Sequence, residues 1–256
     1  MKKFFSVVRT TALTVSVFAV VAIGFTSCLK DRGNQVETPV AGLMAFNLST
    51  DRSVGFSLSG SNLYNSPLNY TGYTGGYLSI YPGQRQVKAY DAYYSTGNAL
   101  ATSDGNFEVN KYYSVFLLGV DCSYRNVLVT DNIDSLSASS GKAYIRYING
   151  IPDSLSAPVL TVTANGSSVL NNPAPYASIS AFTPVSPGEI TIAAKNGAGI
   201  DVSRPITVEA KKVYTIMLTG LPGSGETPVA IKYITNGTLE DSSATTSALG
   251  QRLSIN

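Results

Sequence analysis

Few side chains in this sequence could perform chemistry, and histidine is absent from all 256 residues. Without an imidazole the chain cannot build a Ser-His-Asp triad or a Cys–His pair, and it lacks the commonest zinc ligand. A carboxylate pair could still hydrolyse a glycoside. Most of the aspartates, however, stand in predicted turns, which aspartate caps with its own side chain. They are Asp51, Asp91, Asp104, Asp121, Asp131, Asp153 and Asp201. We therefore predict a protein that is not an enzyme and that needs no cofactor or metal.

One of the two cysteines, Cys28, follows a leader-like amino end. Three basic residues and no acidic one precede the apolar run 12–25, which is short for a spanning helix of ~20 residues. The segment resembles a bacterial lipoprotein signal. That resemblance implies that residues 1–27 are a signal peptide, that Cys28 is lipidated, and that residues 28–39 form a tether. Each buried CH₂ of an acyl chain contributes ~0.8 kcal/mol to membrane binding.

The other cysteine, Cys122, lies beside a strong strand pattern and is the only thiol left if Cys28 is acylated. The mature chain could then form no internal disulfide. With no histidine to act as its base, we expect Cys122 to be a small, buried or half-buried side chain.

The charge of the body excludes one class of partner. Residues 28–256 carry 15 basic and 16 acidic side chains, a net charge of −1, because three of the 18 basic residues lie in the leader. Nucleic-acid binding needs a clustered positive face. We therefore predict that this protein binds no nucleic acid.

The chain repeats itself at an offset of about 100 residues. The turn Pro82-Gly83 recurs as Pro187-Gly188, each between two strand-like runs. Other landmarks recur in the same order: Pro67 and Tyr70 as Pro173 and Tyr176, Lys111–Gly119 as Lys212–Gly220, and Phe46–Asp51 as Ile148–Asp153. This pattern indicates a tandem duplication.

Apolar residues alternate with polar or small ones in each copy, as in Ile190/Ile192/Ala194. This period of two is typical of an antiparallel sheet with one solvated face. About seven short strands per copy predict an all-β fold of two tandem immunoglobulin-like antiparallel β-sandwich domains. We predict repeat 1 at 40–131, a polar linker at 132–141, repeat 2 at 142–239 and a polar tail at 240–256.

The motifs of the second copy resemble domain of unknown function 4397 (DUF4397), found in bacterial surface and exported proteins. They are Ala143–Asp153, Thr163–Gly166, Ser186–Gly188 and Val213–Ile216. Lys30-Asp31 is also similar to the short export signals of Bacteroidetes surface lipoproteins. These resemblances imply a sandwich fold and a surface or adhesive setting, and they supply no catalytic residues.

Tyrosine is concentrated in repeat 1, which holds eleven of the sixteen. Rigid amphipathic rings suit a binding surface, although they also fill cross-strand pairs and sandwich rims. The Gly-rich stretch from Tyr70 through Tyr73 to Tyr77 indicates a loop, where several rings are hard to bury together. We predict these three tyrosines as candidate ligand contacts.

Three hypotheses about function follow. The first is a non-catalytic protein of the cell envelope, lipid-anchored at Cys28 on the outer membrane or cell surface, which acts in adhesion or as a structural component. The second is a glycan-binding module that uses the Tyr70–Tyr77 loop. The third, which has the weakest support, is a hydrolase with a carboxylate pair. The partners implied are a membrane and a protein or glycan ligand.

Overall fold

A computed structural model of the protein describes residues 38–93, 98–152 and 156–240, together with the backbone of 253–254. The predicted signal peptide, Cys28 and most of the predicted tether and tail lie outside the described residues. From Pro39 onward the chain forms one compact unit. Within the described ranges, no helix is long and apolar enough to cross a membrane.

Repeat 1 is built from two four-stranded sheets. Its strands are β1 (Ala41–Asn47), β2 (Val54–Leu58), β3 (Ser61–Asn62), β4 (Leu78–Ile80), β5 (Gly83–Asp91), β6 (Ala99–Phe107), β7 (Tyr112–Val120) and β8 (Ser123–Asp131). The inner sheet has the order β4-β1-β7-β8 and the outer sheet the order β3-β2-β5-β6. All neighbours are antiparallel except β1 and β7, which run parallel.

Repeat 2 has the same plan. Its strands are β9 (Ala143–Asn149), β10 (Val159–Ala164), β11 (Ser167–Pro173), β12 (Thr183–Val185), β13 (Gly188–Lys195), β14 (Asp201–Val208), β15 (Lys212–Thr219), β16 (Ala230–Leu239) and β17 (Leu253–Ser254). The inner sheet has the order β12-β9-β15-β16-β17 and the outer sheet the order β11-β10-β13-β14. Here β9 and β15 form the parallel pair.

The predicted all-β fold of two immunoglobulin-like sandwiches is confirmed. Strand-forming residues alternate on the outer sheets as expected: in β13, Ile190 and Ile192 are buried, whereas Glu189 and Lys195 are exposed. The outer strands β5 and β13 each begin with a glycine that needs positive φ, and Gly83 adopts 108°. Pro205 occurs in β14, an edge strand, where a missing N–H disrupts no central ladder.

Three hydrophobic cores divide the body, one more than two independent sandwiches would have. One core fills each sandwich, and the third, which we call the inter-repeat core, lies between the two inner sheets. Strand β1 serves two cores, because Leu43 faces the sandwich core while Met44 and Phe46 face the inter-repeat core. The expectation of a solvated sheet face is therefore wrong for the inner sheets, because each covers the other. Thr215, a polar residue in β15, is fully buried.

The segment 132–141, predicted to be a polar linker, packs against this third core. It contains two short 3-10 helices, Ile133–Ser135 and Ala138–Ser140. Ile133 and Leu136 are buried in the inter-repeat core. The connection is therefore fixed by apolar contacts that its polar composition concealed.

Both repeats begin and end at the same end of the body, which we call the entry end. In repeat 1, Gly42 near the start of β1 pairs with Tyr112, and Tyr112 pairs with Asp131 at the end of β8. The two repeats point the same way, because Gly150 after β9 lies close to Leu48 after β1. A Cβ added to Gly150 would meet Leu48 Cδ1 at 3.2 Å. The loops that follow β1 therefore lie at the opposite end.

Candidate functional site

The three tyrosines predicted as ligand contacts have different environments. Tyr77 is only 5% exposed and packs in the inter-repeat core, so the expectation that its ring is available to a ligand is wrong. Repeat 2 covers it, which a Gly-rich local sequence could not reveal. Tyr73 is half-buried and stacks on Phe46, with 5.7 Å between ring centroids. Tyr70 is half-buried as well and lines an open cleft.

This cleft lies opposite the entry end and has a volume of about 440 Å³. Three loops form it: the β1–β2 loop, the stretch after Leu68, and the end of β5. Its lining residues are Thr50, Asp51, Arg52, Ser53, Asn69, Tyr70, Asp91 and Tyr93. The structure thus joins one predicted tyrosine to two of the aspartates, Asp51 and Asp91, that the sequence placed in turns.

A buried amide holds the loops of the cleft together. Asn47, at the end of β1, is fully buried, and its Nδ2 donates hydrogen bonds to the carbonyl oxygens of Arg52 at 2.7 Å and Leu68 at 2.8 Å. Asn149, the matching residue of repeat 2, donates to Ala174 O at 2.7 Å. Because a buried amide needs partners, these bonds fix the loop backbones. The asparagine is therefore a positioning residue in both copies.

Charged side chains converge on one wall of the cleft. Arg52 Nε lies 3.4 Å from Asp91 Oδ2 and 4.0 Å from Asp51 Oδ2. Asp51 Oδ2 also accepts a hydrogen bond from the Tyr124 hydroxyl at 2.6 Å. Burial, together with this bond to a carboxylate, raises the pKa of Tyr124 to about 12. The ring hydroxyl is therefore a neutral donor that orients Asp51, and the three charged groups carry a net charge of −1.

A second polar cluster lies in the inter-repeat core, where we call it the inter-repeat polar ring: Tyr77, Ser114, Asp131, Arg146, Thr215 and Asn236. In repeat 1, Asp131 Oδ2 accepts hydrogen bonds from the hydroxyls of Tyr77 at 2.5 Å and Ser114 at 2.6 Å. Burial and the neighbouring Asp131 carboxylate raise the pKa of Tyr77 well above its ordinary value. The Tyr77 hydroxyl therefore stays neutral and donates.

Repeat 2 closes the ring. The Arg146 guanidinium forms an ion pair with Asp131 and donates to Ser114 Oγ at 2.9 Å and Thr215 Oγ1 at 2.9 Å. Thr215 donates to Asn236 Oδ1 at 2.7 Å, and Asn236 Nδ2 donates to the Tyr77 hydroxyl at 3.2 Å. The ring thus connects the repeats, and each of its members has a partner, as a buried polar network requires.

The duplication accounts for only part of the inter-repeat polar ring. Ser114 aligns with Thr215, so each copy places a hydroxyl there. Arg146, by contrast, aligns with Met44. Sequence reasoning missed the ring, and it placed Asp131 in a turn although that residue ends β8 and is 2% exposed. The one feature of the sequence that could have indicated the ring is Arg146, a charged residue within the otherwise largely apolar strand Ala143–Asn149.

A family model for a domain of unknown function, DUF4397, matches the sequence twice, at residues 41–156 and 143–249. The chain belongs to the DUF4397 family. The predicted tandem of DUF4397 repeats is thereby confirmed. No curated protein matches the chain.

Solved structures similar to this DUF4397 protein are distant. The tip fimbrial protein Mfa3 from Porphyromonas gingivalis is 11% identical, with 77% of this chain and 99% of that one covered and a TM-score of 0.25. A fimbrial assembly protein from Parabacteroides distasonis is 11% identical, with 75% of this chain and 98% of that one covered and a TM-score of 0.20. The Bacillus anthracis TIE protein is 12% identical over 72% of this chain, which spans about a third (34%) of its length, with a TM-score of 0.24. Such low scores carry no functional argument.

The remaining cysteine of the DUF4397 repeats is exposed, contrary to the expectation of a buried or half-buried Cys122. It occupies the tight hairpin between β7 and β8, where Asp121 and Cys122 both adopt positive φ, at 49° and 65°. Two left-handed residues match the twist of the flanking strands in a two-residue hairpin, and this turns the side chain outward. Among the described residues, no three Asp, Glu or Cys side chains are grouped so that they could hold a metal ion.

Proposed function

We propose that this protein is a non-catalytic component of the cell envelope, held on the outer membrane by acyl chains at Cys28. It works through contact, in adhesion or as a structural surface protein. The observation that carries the proposal is that the entry end and the cleft lie at opposite ends of the body. The chain enters at one end, and the cleft opens at the other, beyond the seven residues of β1, a span of about 23 Å. A body tethered by its entry end carries its cleft away from its point of attachment.

The cleft supports contact more than chemistry. Two acceptor oxygens of its aspartates are already engaged in holding the loops: Asp51 Oδ2 accepts from Tyr124, and Asp91 Oδ1 accepts from the backbone N–H of Tyr93 at 2.9 Å. These are the roles that turn aspartates ordinarily have. The hydrolase hypothesis therefore has the least support of the three.

Replacing each cysteine in turn tests the anchor. We expect the Cys28→Ser variant to move from the membrane to the soluble fraction, because it loses its acyl chains. Cys122→Ser is the matched control, since Cys122 is the only other cysteine and is exposed, and this variant should stay with the membrane. Membrane retention of Cys28→Ser would contradict the anchor.

Protease added to intact cells tests the surface location. Cleavage of the wild-type protein, with a periplasmic marker protected, is the expected result. Protection of the protein until the outer membrane is permeabilised would contradict a role at the surface.

Glycan binding is the second candidate, and the cleft is the observation that favours it. Tyr70 remains a candidate contact there, whereas Tyr77 does not, and Tyr93 is added. The ligand contacts predicted in the Tyr70–Tyr77 loop therefore move to a site assembled from three loops.

A further inference from the structure

We infer that the cleft lined by Asp51, Arg52, Asn69, Tyr70, Asp91 and Tyr93 binds one neutral, hydroxyl-rich ring, a sugar residue of a glycan. The inference rests on the proposed function only in its glycan-binding form, since neither the anchor nor the surface location is needed for it. No residue of this cleft except Tyr70 was expected from the sequence to contact a ligand.

The size of the cleft suits a small ligand. Its volume of about 440 Å³ falls within the roughly 300–1,000 Å³ usual for small-molecule sites. The site is open on one side, as it must be if the bound ring belongs to a longer chain.

The charges of the cleft select against an anion. Asp51 and Asp91 flank a single cation, Arg52, and leave a net charge of −1. A phosphate or a sulfated ring would face two carboxylates, whereas a neutral hydroxyl both donates and accepts. Such a hydroxyl can bond a carboxylate oxygen and the guanidinium fork at the same time.

An amide supplies further donors. Asn69 Oδ1 accepts a hydrogen bond from Ser53 Oγ at 2.7 Å, which fixes the orientation of the amide. Within the described part of the chain, no hydrogen-bond acceptor is bonded to Asn69 Nδ2. This group is therefore ready to donate to a ligand hydroxyl, and little ordering entropy remains to be lost when it does so.

Aromatic rings provide the apolar part of the site. Tyr93 is 80% exposed, the most exposed large ring of the described residues. Tyr70 is half-buried in the cleft, with its hydroxyl near Thr219 of repeat 2. The C–H face of a sugar ring can pack on such a ring while its hydroxyls reach the polar wall, the division that ligand sites commonly show.

Repeat 2 lacks the same combination. Extending the alignment of β5 with β13 places Asn196 opposite Asp91 and Ala198 opposite Tyr93. Repeat 2 therefore has no ring where Tyr93 stands. We expect one site per chain, in repeat 1.

The test uses full-length protein in a detergent without a sugar headgroup, applied to immobilised neutral oligosaccharides of gluco-, galacto- and manno-configuration. Sulfated and sialylated forms of the same size form the second arm. We expect binding to at least one neutral glycan with one site per chain. Tyr93→Ala should weaken it about ten-fold or more, since buried aromatic contacts dominate such interfaces.

Tyr81→Ala is the matched control, because Tyr81 is also exposed, at 66%, and lies outside the cleft. Tyr81→Ala should bind with the affinity of the wild type, and both variants should have the melting temperature of the wild type. Three results would each overturn the inference: no binding to any neutral glycan, binding only to anionic forms, or equal affinity of wild type and Tyr93→Ala. Failure of the Cys28→Ser fractionation would leave this result unaffected, so the two proposals fail separately.

Discussion

Breaking the ion pair between the repeats should be costly, and breaking both halves of it together should cost less than the sum. The Arg146 and Asp131 side chains are only 2% and 0% exposed. Removing one partner of a buried pair leaves an uncompensated charge and costs about 3–5 kcal/mol of unfolding free energy. We choose Arg146→Met and Asp131→Asn, because Met44 occupies the position of Arg146 in repeat 1 and asparagine, as Asn236, already joins the ring.

The contacts that remain rank the two single variants. After Arg146→Met, Asp131 keeps two hydroxyl donors, Tyr77 at 2.5 Å and Ser114 at 2.6 Å. After Asp131→Asn, the guanidinium keeps only uncharged partners: the hydroxyls of Ser114 and Thr215 and the rings of Phe182 and Phe116. A buried cation without a counter-ion is the less satisfied of the two. Asp131→Asn should therefore be the more destabilising change.

The double variant removes both charges. It should recover much of the loss, because an apolar replacement of a buried pair is often close to neutral, and we expect a coupling energy of about 2 kcal/mol or more. Urea unfolding followed by far-ultraviolet circular dichroism measures all four proteins, with equal m-values as the control for two-state behaviour. Additivity within about 0.5 kcal/mol, or single losses below about 1 kcal/mol, would refute the reasoning.

Two further predictions concern single positions. The raised pKa of Tyr77 keeps its hydroxyl neutral in the folded state, so the stability that it contributes is complete below pH 10 and falls above it, by about 1.4 kcal/mol per pH unit. Unfolding free energies from pH 9 to 11.5 should fall less steeply for Tyr77→Phe than for the wild type, and parallel curves would contradict this. Gly119→Ala and Gly220→Ala should each cost more than about 1 kcal/mol, because φ is 123° and 100° and an added Cβ would lie 2.1 Å and 2.3 Å from a backbone oxygen. The control Gly225→Ala has nothing within 4 Å, and equal melting temperatures for all three variants would argue against the strain.

The outer sheets could be predicted from the sequence because each has one wet face. Alternation such as Ile190 and Ile192 against Glu189 reports that asymmetry directly. The inner strands carry a different signal. Every residue from Ala41 to Asn47 is buried, and a near-continuous apolar run is what burial on two faces produces. What covers the second face is a long-range fact, and only the packing of the repeats supplies it.

The candidate site was harder to predict for the same reason. Its walls come from segments near residues 51, 69 and 91, which are brought together by the pairing of Val54 with Asp91 and with Leu68. Tyr70 stays a candidate ligand contact. The burial of Tyr77 could not be predicted from its Gly-rich local context, because repeat 2 packs around its ring and supplies its hydrogen-bond partner Asn236, 159 residues away. The sequence correctly predicted Asp51 in a turn. It could not predict the role of Asp131, because the ion-pair partner of Asp131, Arg146, comes from the other repeat.

Because the inner sheets cover each other, these repeats are expected to occur in pairs. A sandwich of this kind has one broad apolar side that must be covered, and its twin in the same polypeptide provides the cover. Cutting the backbone near Gly141 would leave two fragments still clasped together, since the grip is non-covalent and lies elsewhere. A third repeat added to the chain would have no partner repeat to cover its apolar inner face. We expect that face to bind the corresponding face of a second molecule.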